Sequence, residues 1–398
     1  MAQPTQPSRP QDRDVGALDV DVLVIGGGQA GLAAGYYLHR LARDAANGRG
    51  GPAPSYAILD AGARPGGAWR DYWESLELFS AAAFSSLPGH QMPAWAGDGN
   101  PSAGHVVEYL KAYETRYGLP VHRPTRVLAV RDGAGGGFST EAVTGAGTGA
   151  GTGTETWTSR VVINATGTWT RPALPAVPGS GDFVGEQLHT ADYRGPDAFA
   201  GQRVVVVGGG NSGAQVAADL LPAASVTWVT RKPPRYLPDD VDGRALFQIA
   251  SRHVRALARG EESPGGVGSL GDIVAVPPVR RARDAGLLKP LPMFSRATPT
   301  GVAWDDGRSQ EVDAIIWCTG FGPQLDHLAS LGLDAGAGAP TTDPAPPTLS
   351  ADRPGLFFLG YGDWCGPASA TLIGVGPFAR DTVAAAGRHA LAPSPAPS

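Results

Sequence analysis

One pattern occurs twice in this sequence and limits its fold more than any other feature. Val20-Asp-Val-Leu-Val-Ile25 runs into Gly26-Gly-Gly-Gln-Ala-Gly31 and a helix-like Leu32 to Arg43. Later, Arg203-Val-Val-Val-Val207 runs into Gly208-Gly-Gly-Asn-Ser-Gly213 and then Ala214 to Leu221. In such a GxGxxG turn the first glycine permits the tight bend and the second lets the backbone approach a pyrophosphate. The third allows close packing of helix on strand, and the phosphate charge settles at a helix N-terminus. Isolated matches mean little in a chain with 57 glycines, but here each has its strand before and its helix after. The two turns start 182 residues apart, far enough for each to nucleate its own unit. The expectation is an α/β chain with two Rossmann-like dinucleotide-binding domains. Gly26, Gly28 and Gly31 form one cradle, and Gly208, Gly210, Ser212 and Gly213 the other.

The length of 398 residues and 42% apolar content suit two cored domains. A strand-like Ala314-Ile-Ile-Trp-Cys318 reads as the return of the chain to the first domain, making that domain discontinuous. The expected organisation is a disordered leader 1–19, a first domain of 20–170 and 310–390, an inserted second domain 171–309 and a disordered tail 391–398. The Gly/Thr tract Thr144 to Thr156 reads as an extended hairpin loop.

Several function classes drop out on charge and composition. A net charge of −5 leaves no basic footprint for nucleic acid, and no apolar run reaches membrane-span length. Cys318 and Cys365, the only cysteines, lie 47 residues apart, which excludes a disulfide scaffold and a CxxC redox pair. No metal cluster is visible among the eight histidines. A cytoplasmic location is the default expectation.

The strand downstream of each cradle bears on its nucleotide. The strand Tyr56-Ala-Ile-Leu59 ends at Asp60, an acid able to accept hydrogen bonds from ribose hydroxyls. The strand Val226 to Thr230 ends without an acid and runs into Arg231 and Lys232; a guanidinium suits a 2′-phosphate. The second site is therefore expected to prefer NADPH to NADH.

At this point the chain resembles the flavin-containing monooxygenase family. Phe183-Val-Gly185-Glu-Gln-Leu-His189-Thr-Ala-Asp-Tyr193 is similar to its FxGxxxHxxx(F/Y) fingerprint, Gly66-Gly-Ala-Trp69 to its GGxW segment and Ala165-Thr-Gly167 to its ATG hinge. Cys318-Thr-Gly320 and Gly360-Tyr-Gly-Asp363 resemble its return segments that close over flavin. Stretches such as Pro234 to Gly243 and Gly362 to Gly374 look most like a bacterial branch associated with arsenic-resistance gene clusters.

The resemblance implies FAD in the first domain and NADPH in the second. It also implies O2 and a small-molecule substrate as partners, a homodimer, and oxygen transfer from a C4a-peroxyflavin to a soft nucleophile such as S, N or As(III). It puts Gly67, Trp69, Thr166, Gly167, Gly320 and Asp363 on FAD, and it makes Trp69, Ser80 and His189 the candidates for a catalytic part. Many members carry an Asn after GGxW that supports oxygenated flavin, whereas Leu76 to Pro88 contains none; either Ser80, Ser85 or Ser86 supplies a hydroxyl there, or the chain lacks a long-lived oxygenated flavin. Two other readings share the architecture: a flavin-dependent NAD(P)H reductase or oxidase, and a non-catalytic redox sensor.

Overall fold

The computed structural model describes residues 18–145, 152–239, 272–334 and 338–393, with a few positions between 240 and 271. The leader up to residue 17, the middle of the Gly/Thr tract, part of Pro234 to Gly243 and the tail from residue 394 lie outside the described residues.

The first sheet is built outward from β1 (Leu18–Ile25), which starts within the expected leader. Its Val22, Leu23 and Val24 are wholly buried, each contributing about 1.5–3 kcal/mol by leaving water. It pairs in parallel with β2 (Tyr56–Leu59) on one side and with β6 (Gly153–Asn164) on the other. A short β3 (Val121–His122) extends the β2 edge, and the antiparallel β4 (Thr125–Asp132) and β5 (Phe138–Thr144) continue from β6. The Gly/Thr tract is thus strand at both ends, with Thr144 opposite Gly153. Helix α1 (Gln29–Ala46), helix α2 (Ala103–Tyr117) and the C-terminal helix Val375–Leu391 pack with β1 in one apolar core.

The second sheet repeats this plan. Strand β8 (Arg203–Val207) leads into helix α3 (Asn211–Leu220) and then β9 (Ser225–Thr230), its parallel neighbour. Beyond β9 lies β10 (Leu291–Pro292), and β14 (Ala314–Trp317) flanks β8 on the other side. A three-stranded antiparallel meander, β11 (Arg296–Thr298), β12 (Gly301–Ala303) and β13 (Ser309–Glu311), intervenes between β10 and β14. In chain order it takes the place of β4 and β5, but it forms a sheet of its own, whereas they continue from β6.

This repeat corrects one expected boundary. Strand β14 does not return the chain to the first domain; it pairs in parallel with β8 and with β7 (Glu186–His189) in the second sheet. The inserted domain therefore extends past residue 309 through β14, and the return comes after it, with β15 (Leu356–Phe358) joining β6. The apolar run Ala314 to Cys318 had no feature distinguishing one central strand from another, because both cores demand the same continuous burial.

The two units meet through α3. Asp219 accepts from Ser75 Oγ at 2.7 Å and from Tyr193 OH at 2.7 Å, and Gln215 exchanges hydrogen bonds with the backbone of Glu77. Trp73, buried in the same apolar cluster, meets the Tyr193 ring edge-on at 5.7 Å.

Candidate functional site

Both glycine turns have the geometry their spacing calls for. Gly26 has φ 110°, and a Cβ there would lie 2.4 Å from Ala165 O; Gly208 has φ 144° and would meet Cys318 O at 2.2 Å. The third glycines are as constrained, since a Cβ on Gly31 would lie 1.8 Å from Gly26 O and one on Gly213 2.2 Å from Gly208 O. Ala165-Thr166-Gly167 and Cys318-Thr319-Gly320 are thus equivalent turns, each ending the strand beside its own cradle.

The helices behind the turns start without side-chain caps. Gly28 precedes α1 and Gly210 precedes α3, whereas α2 is capped by Ser102 Oγ, which accepts from His105 N–H. Uncapped first-turn N–H groups carry partial positive charge and suit an anion.

Around the first cradle lies a cleft of about 470 Å³. Seven of the residues singled out from the sequence line it: Gly26, Gly28, Asp60, Gly67, Trp69, Thr166 and Gly167. Gly31 backs the turn from beneath. Asp60 is nearly buried in this lining, which also includes Arg64 and Arg126. Four rings of the lining run in sequence as one wall: Trp69 to Tyr72 at 5.3 Å, Tyr72 to Trp169 at 4.2 Å and Trp169 to Phe321, stacked at 4.9 Å. Burial pushes the Tyr72 phenol up to about 12, so it stays protonated at neutral pH.

Gln29 braces this ring wall. Its Oε1 accepts from Trp69 Nε1 at 2.9 Å and its Nε2 donates to Ala370 O at 2.6 Å, tying cradle, aromatic wall and C-terminal turn together. Beneath the cleft, Asn164 Nδ2 donates to Tyr361 OH at 2.7 Å while Asn164 Oδ1 pairs with His327 Nε2 at 2.9 Å. Thr166 joins through its hydroxyl, 2.8 Å from Tyr361 OH. Burial holds the His327 imidazole down to about 4, so it is neutral at pH 7 and donates from Nε2.

Four expected site residues lie elsewhere. Ser80 is buried with its hydroxyl 3.0 Å from that of Ser85, and neither lines the cleft. His189 ends β7; its Nδ1 accepts from Ala191 N–H at 3.2 Å, so its Nε2 donates to Gly320 O at 3.0 Å. Burial lowers its basicity, and it meets Phe321 edge-on at 4.8 Å. Gly320 itself belongs to the turn at the second cradle, and it is the next residue, Phe321, that enters the cleft. Asp363 sits in an exposed short turn outside the lining.

Gly208, Gly210, Ser212 and Gly213 gather at the start of α3, and Arg231 and Lys232 come after β9 as exposed residues. Among the described residues no cluster could hold a metal ion, and no described helix is long and apolar enough to cross a membrane.

The geometry can be set beside known proteins. The family model described as pyridine nucleotide-disulphide oxidoreductase matches residues 23–245. A solved flavin-containing monooxygenase from Stenotrophomonas maltophilia is 44% identical, with 92% of this chain and 98% of that one covered at a TM-score of 0.78. The chain belongs to the flavin monooxygenase family. It is an oxidoreductase of that family, which uses flavin and a nicotinamide cofactor. Curated relatives include an uncharacterized CzcO-like oxidoreductase of Geobacillus kaustophilus, 28% identical over 90% of this chain and 95% of its own length. Another is the indole-3-pyruvate monooxygenase YUCCA4 of Oryza sativa subsp. japonica, 28% identical over 75% and 73%.

The family fingerprint acquires a physical meaning here. Phe183 packs in the second core, and Gly185 admits it, since a Cβ there would meet the Phe183 ring at 2.4 Å. His189 clamps the turn that sends Phe321 into the first cleft, and Tyr193 reaches Asp219 at the domain boundary. Gln29, Trp169, Phe321, His327 and Gln324, a lining residue whose carbonyl accepts from the Thr166 hydroxyl at 2.7 Å, went unnoticed in the sequence; only Gln29 sat inside a recognised motif.

Proposed function

We propose that this enzyme is an FAD-dependent, NADPH-using monooxygenase that transfers one oxygen atom of O2 to a soft nucleophile, a sulfur, nitrogen or trivalent arsenic centre. The observation that carries the reading is one cleft whose lining holds Asp60, the uncapped N-terminus of α1 and the Trp69–Phe321 ring wall together. Its residues fit FAD in kind. An acid suits an adenosine ribose, free helix N–H groups suit a pyrophosphate, and aromatic faces suit a flat tricyclic ring. FAD, when bound, supplies the two-electron chemistry with nicotinamide and O2.

The chain's own groups then bind, orient and shield. Trp69 is held by Gln29 at one edge of the wall, and Phe321 is held by Trp169 and His189 at the other. Both ring nitrogens of His189 are engaged, by Ala191 N–H and Gly320 O, and the Tyr72 phenol stays protonated at pH 7, so neither is a ready general base, which suits chemistry carried by a cofactor. In the second domain, Arg231 and Lys232 after β9 support a preference for the 2′-phosphate of NADPH.

The reading is tested by anaerobic reduction of FAD-loaded protein with NADPH or NADH and subsequent admission of isotope-labelled O2. Faster reduction by NADPH, with label appearing in a thioether, amine or trivalent arsenical and less peroxide released, is the expected result. NADPH use that yields stoichiometric peroxide with every substrate would instead favour an oxidase. The position of Ser80 favours that second reading, because its hydroxyl pairs with Ser85 outside the cleft.

A further inference from the structure

Asp60 has a partner behind it that the glycine motifs do not involve. Arg123 comes directly after the edge strand β3, and its side chain is only 8% exposed. Its Nε donates to Asp60 Oδ2 at 2.7 Å, its Nη1 to Glu114 Oε1 at 2.6 Å and its Nη2 to Gly27 O at 3.3 Å. One guanidinium thereby joins the end of β2, the last turns of α2 and the first cradle. Burial works against its charge, but its bonds to the Glu114 and Asp60 carboxylates outweigh that and raise its basicity. Gly27 is part of the arrangement, since a Cβ there would lie 2.7 Å from both Arg123 Nη2 and Asp60 Oδ2.

Asp60 and Gly27 line the cleft, whereas Arg123 does not. The second oxygen of Asp60 accepts from Gly62 N–H at 3.1 Å. A carboxylate offers about four acceptor positions. Arg123 and Gly62 take two and fix the carboxylate plane, leaving the other two for a ligand.

We propose that Arg123, braced by Glu114, is a positioning residue that aims the Asp60 carboxylate at the vicinal ribose hydroxyls of the adenosine half of a dinucleotide. The inference rests on the reading of the cleft as a flavin site, and it assigns the discrimination for ribose to an Arg123–Asp60 unit rather than to Asp60 alone. Lysine cannot replace this residue, because a single ammonium cannot span three acceptors in fixed directions.

The test compares wild type with Arg123→Lys and Arg123→Gln. Each apo-protein is titrated with FAD and with an FAD analogue carrying 2′,3′-dideoxyadenosine, read by flavin fluorescence, with a melting curve alongside. Wild type should prefer FAD by about tenfold or more, the worth of charge-assisted hydrogen bonds to the ribose. In both variants that preference should fall to about twofold or less, while binding of the dideoxy analogue, which relies on the phosphate cradle, changes little. Should the glutamine variant fail to fold, the lysine variant, which keeps the charge, carries the comparison. An intact preference in the variants, with or without a lower melting temperature, would overturn the inference and leave Arg123 a purely structural ion-pair partner. Wild type binding both flavins equally would overturn it as well by removing Asp60 from ribose recognition. Wild type that binds neither flavin would overturn the cleft reading itself.

Discussion

Two glycines of the first cradle should respond to the same substitution in opposite ways. Gly31→Ala puts a methyl group 1.8 Å from Gly26 O, about 1.5 Å closer than atoms tolerate. Gly26 cannot retreat, because its own Cα already faces Ala165 O, and α1 cannot slide, because Leu32, Ala33 and Ala34 are buried beside it. The cost should reach or exceed the ~1–3 kcal/mol usual for overpacking, a large part of a typical 5–15 kcal/mol total. Gly28→Ala meets no such obstacle. The residue has φ −80°, which alanine adopts freely, and the nearest atom to its Cβ is Gly67 Cα at 4.0 Å. Its stability should hold or rise by about 0.4–1 kcal/mol through a stiffer unfolded chain. The methyl would nevertheless stand in the cleft at the helix N-terminus and keep a phosphate from its N–H donors. Losing one charge-assisted bond of about 1.5–3 kcal/mol weakens FAD binding by roughly 10- to 100-fold. Urea unfolding of the apo-proteins and fluorescence titration with FAD separate the two effects. A Gly28→Ala protein that binds FAD as wild type does, or one that is destabilised as much as Gly31→Ala, would refute the reasoning. In the second cradle, Gly210→Ala, whose Cβ meets nothing within 4 Å, should raise the KM for the nicotinamide and leave flavin content intact.

Three further outcomes are expected. His327 has a folded pKa near 4 against an ordinary 6.5, so the unfolded chain binds more protons between those values. Its neutral form therefore contributes stability above pH 6.5 that is lost as pH falls toward 4, roughly 3 kcal/mol in all. The stability gap between wild type and His327→Gln should shrink accordingly between pH 7 and 5, and a constant gap would sink the idea. Cys318 and Cys365 are both buried with thiols pushed up, Cys318 to about 12, so an aromatic disulfide reagent should modify neither until denaturant is added; rapid labelling of the native protein would contradict this. Tyr193→Phe keeps the ring against Trp73 but loses the bond to Asp219, and should cost about 1–2 kcal/mol in urea unfolding. A variant as stable as wild type would show that the contact contributes nothing at the domain boundary.

Both cradles could be read from the sequence because a GxGxxG turn is local: its constraints lie within six residues of one another, and the strand and helix on either side are visible in hydrophobic periodicity. Asp60 was legible for the same reason, as the residue that ends the strand after the helix. The boundary at β14 was not, since a wholly buried run carries no mark of which sheet will hold it. Nor was Arg123, which meets Asp60 only because β3 pairs with β2 in a register that sets Leu59 opposite His122. Ser80 shows the converse failure. A hydroxyl at a suitable distance along the chain was expected near the flavin end, but the segment folds so that Ser80 and Ser85 satisfy each other instead, as buried hydroxyls must.

The repeated architecture explains why the joint between the domains is as constrained as the cradles. In each unit the strand beside the glycine turn ends at a Thr-Gly pair, Thr166-Gly167 in one and Thr319-Gly320 in the other. In the first unit that exit leads to Trp169, and in the second it leads to Phe321; the two rings stack at 4.9 Å to complete one wall of the first cleft. The second domain is thus more than a holder for its own nucleotide, because its exit turn builds part of the first site. His189 is the residue that fixes this turn, through Gly320 O, and its neutral tautomer is dictated by the Ala191 N–H it accepts. Protonating it would set an Nδ1–H against the Ala191 N–H, while the Nε2 bond to Gly320 O would remain. The fingerprint histidine therefore acts on the first cleft at one remove, by holding the backbone from which Phe321 projects.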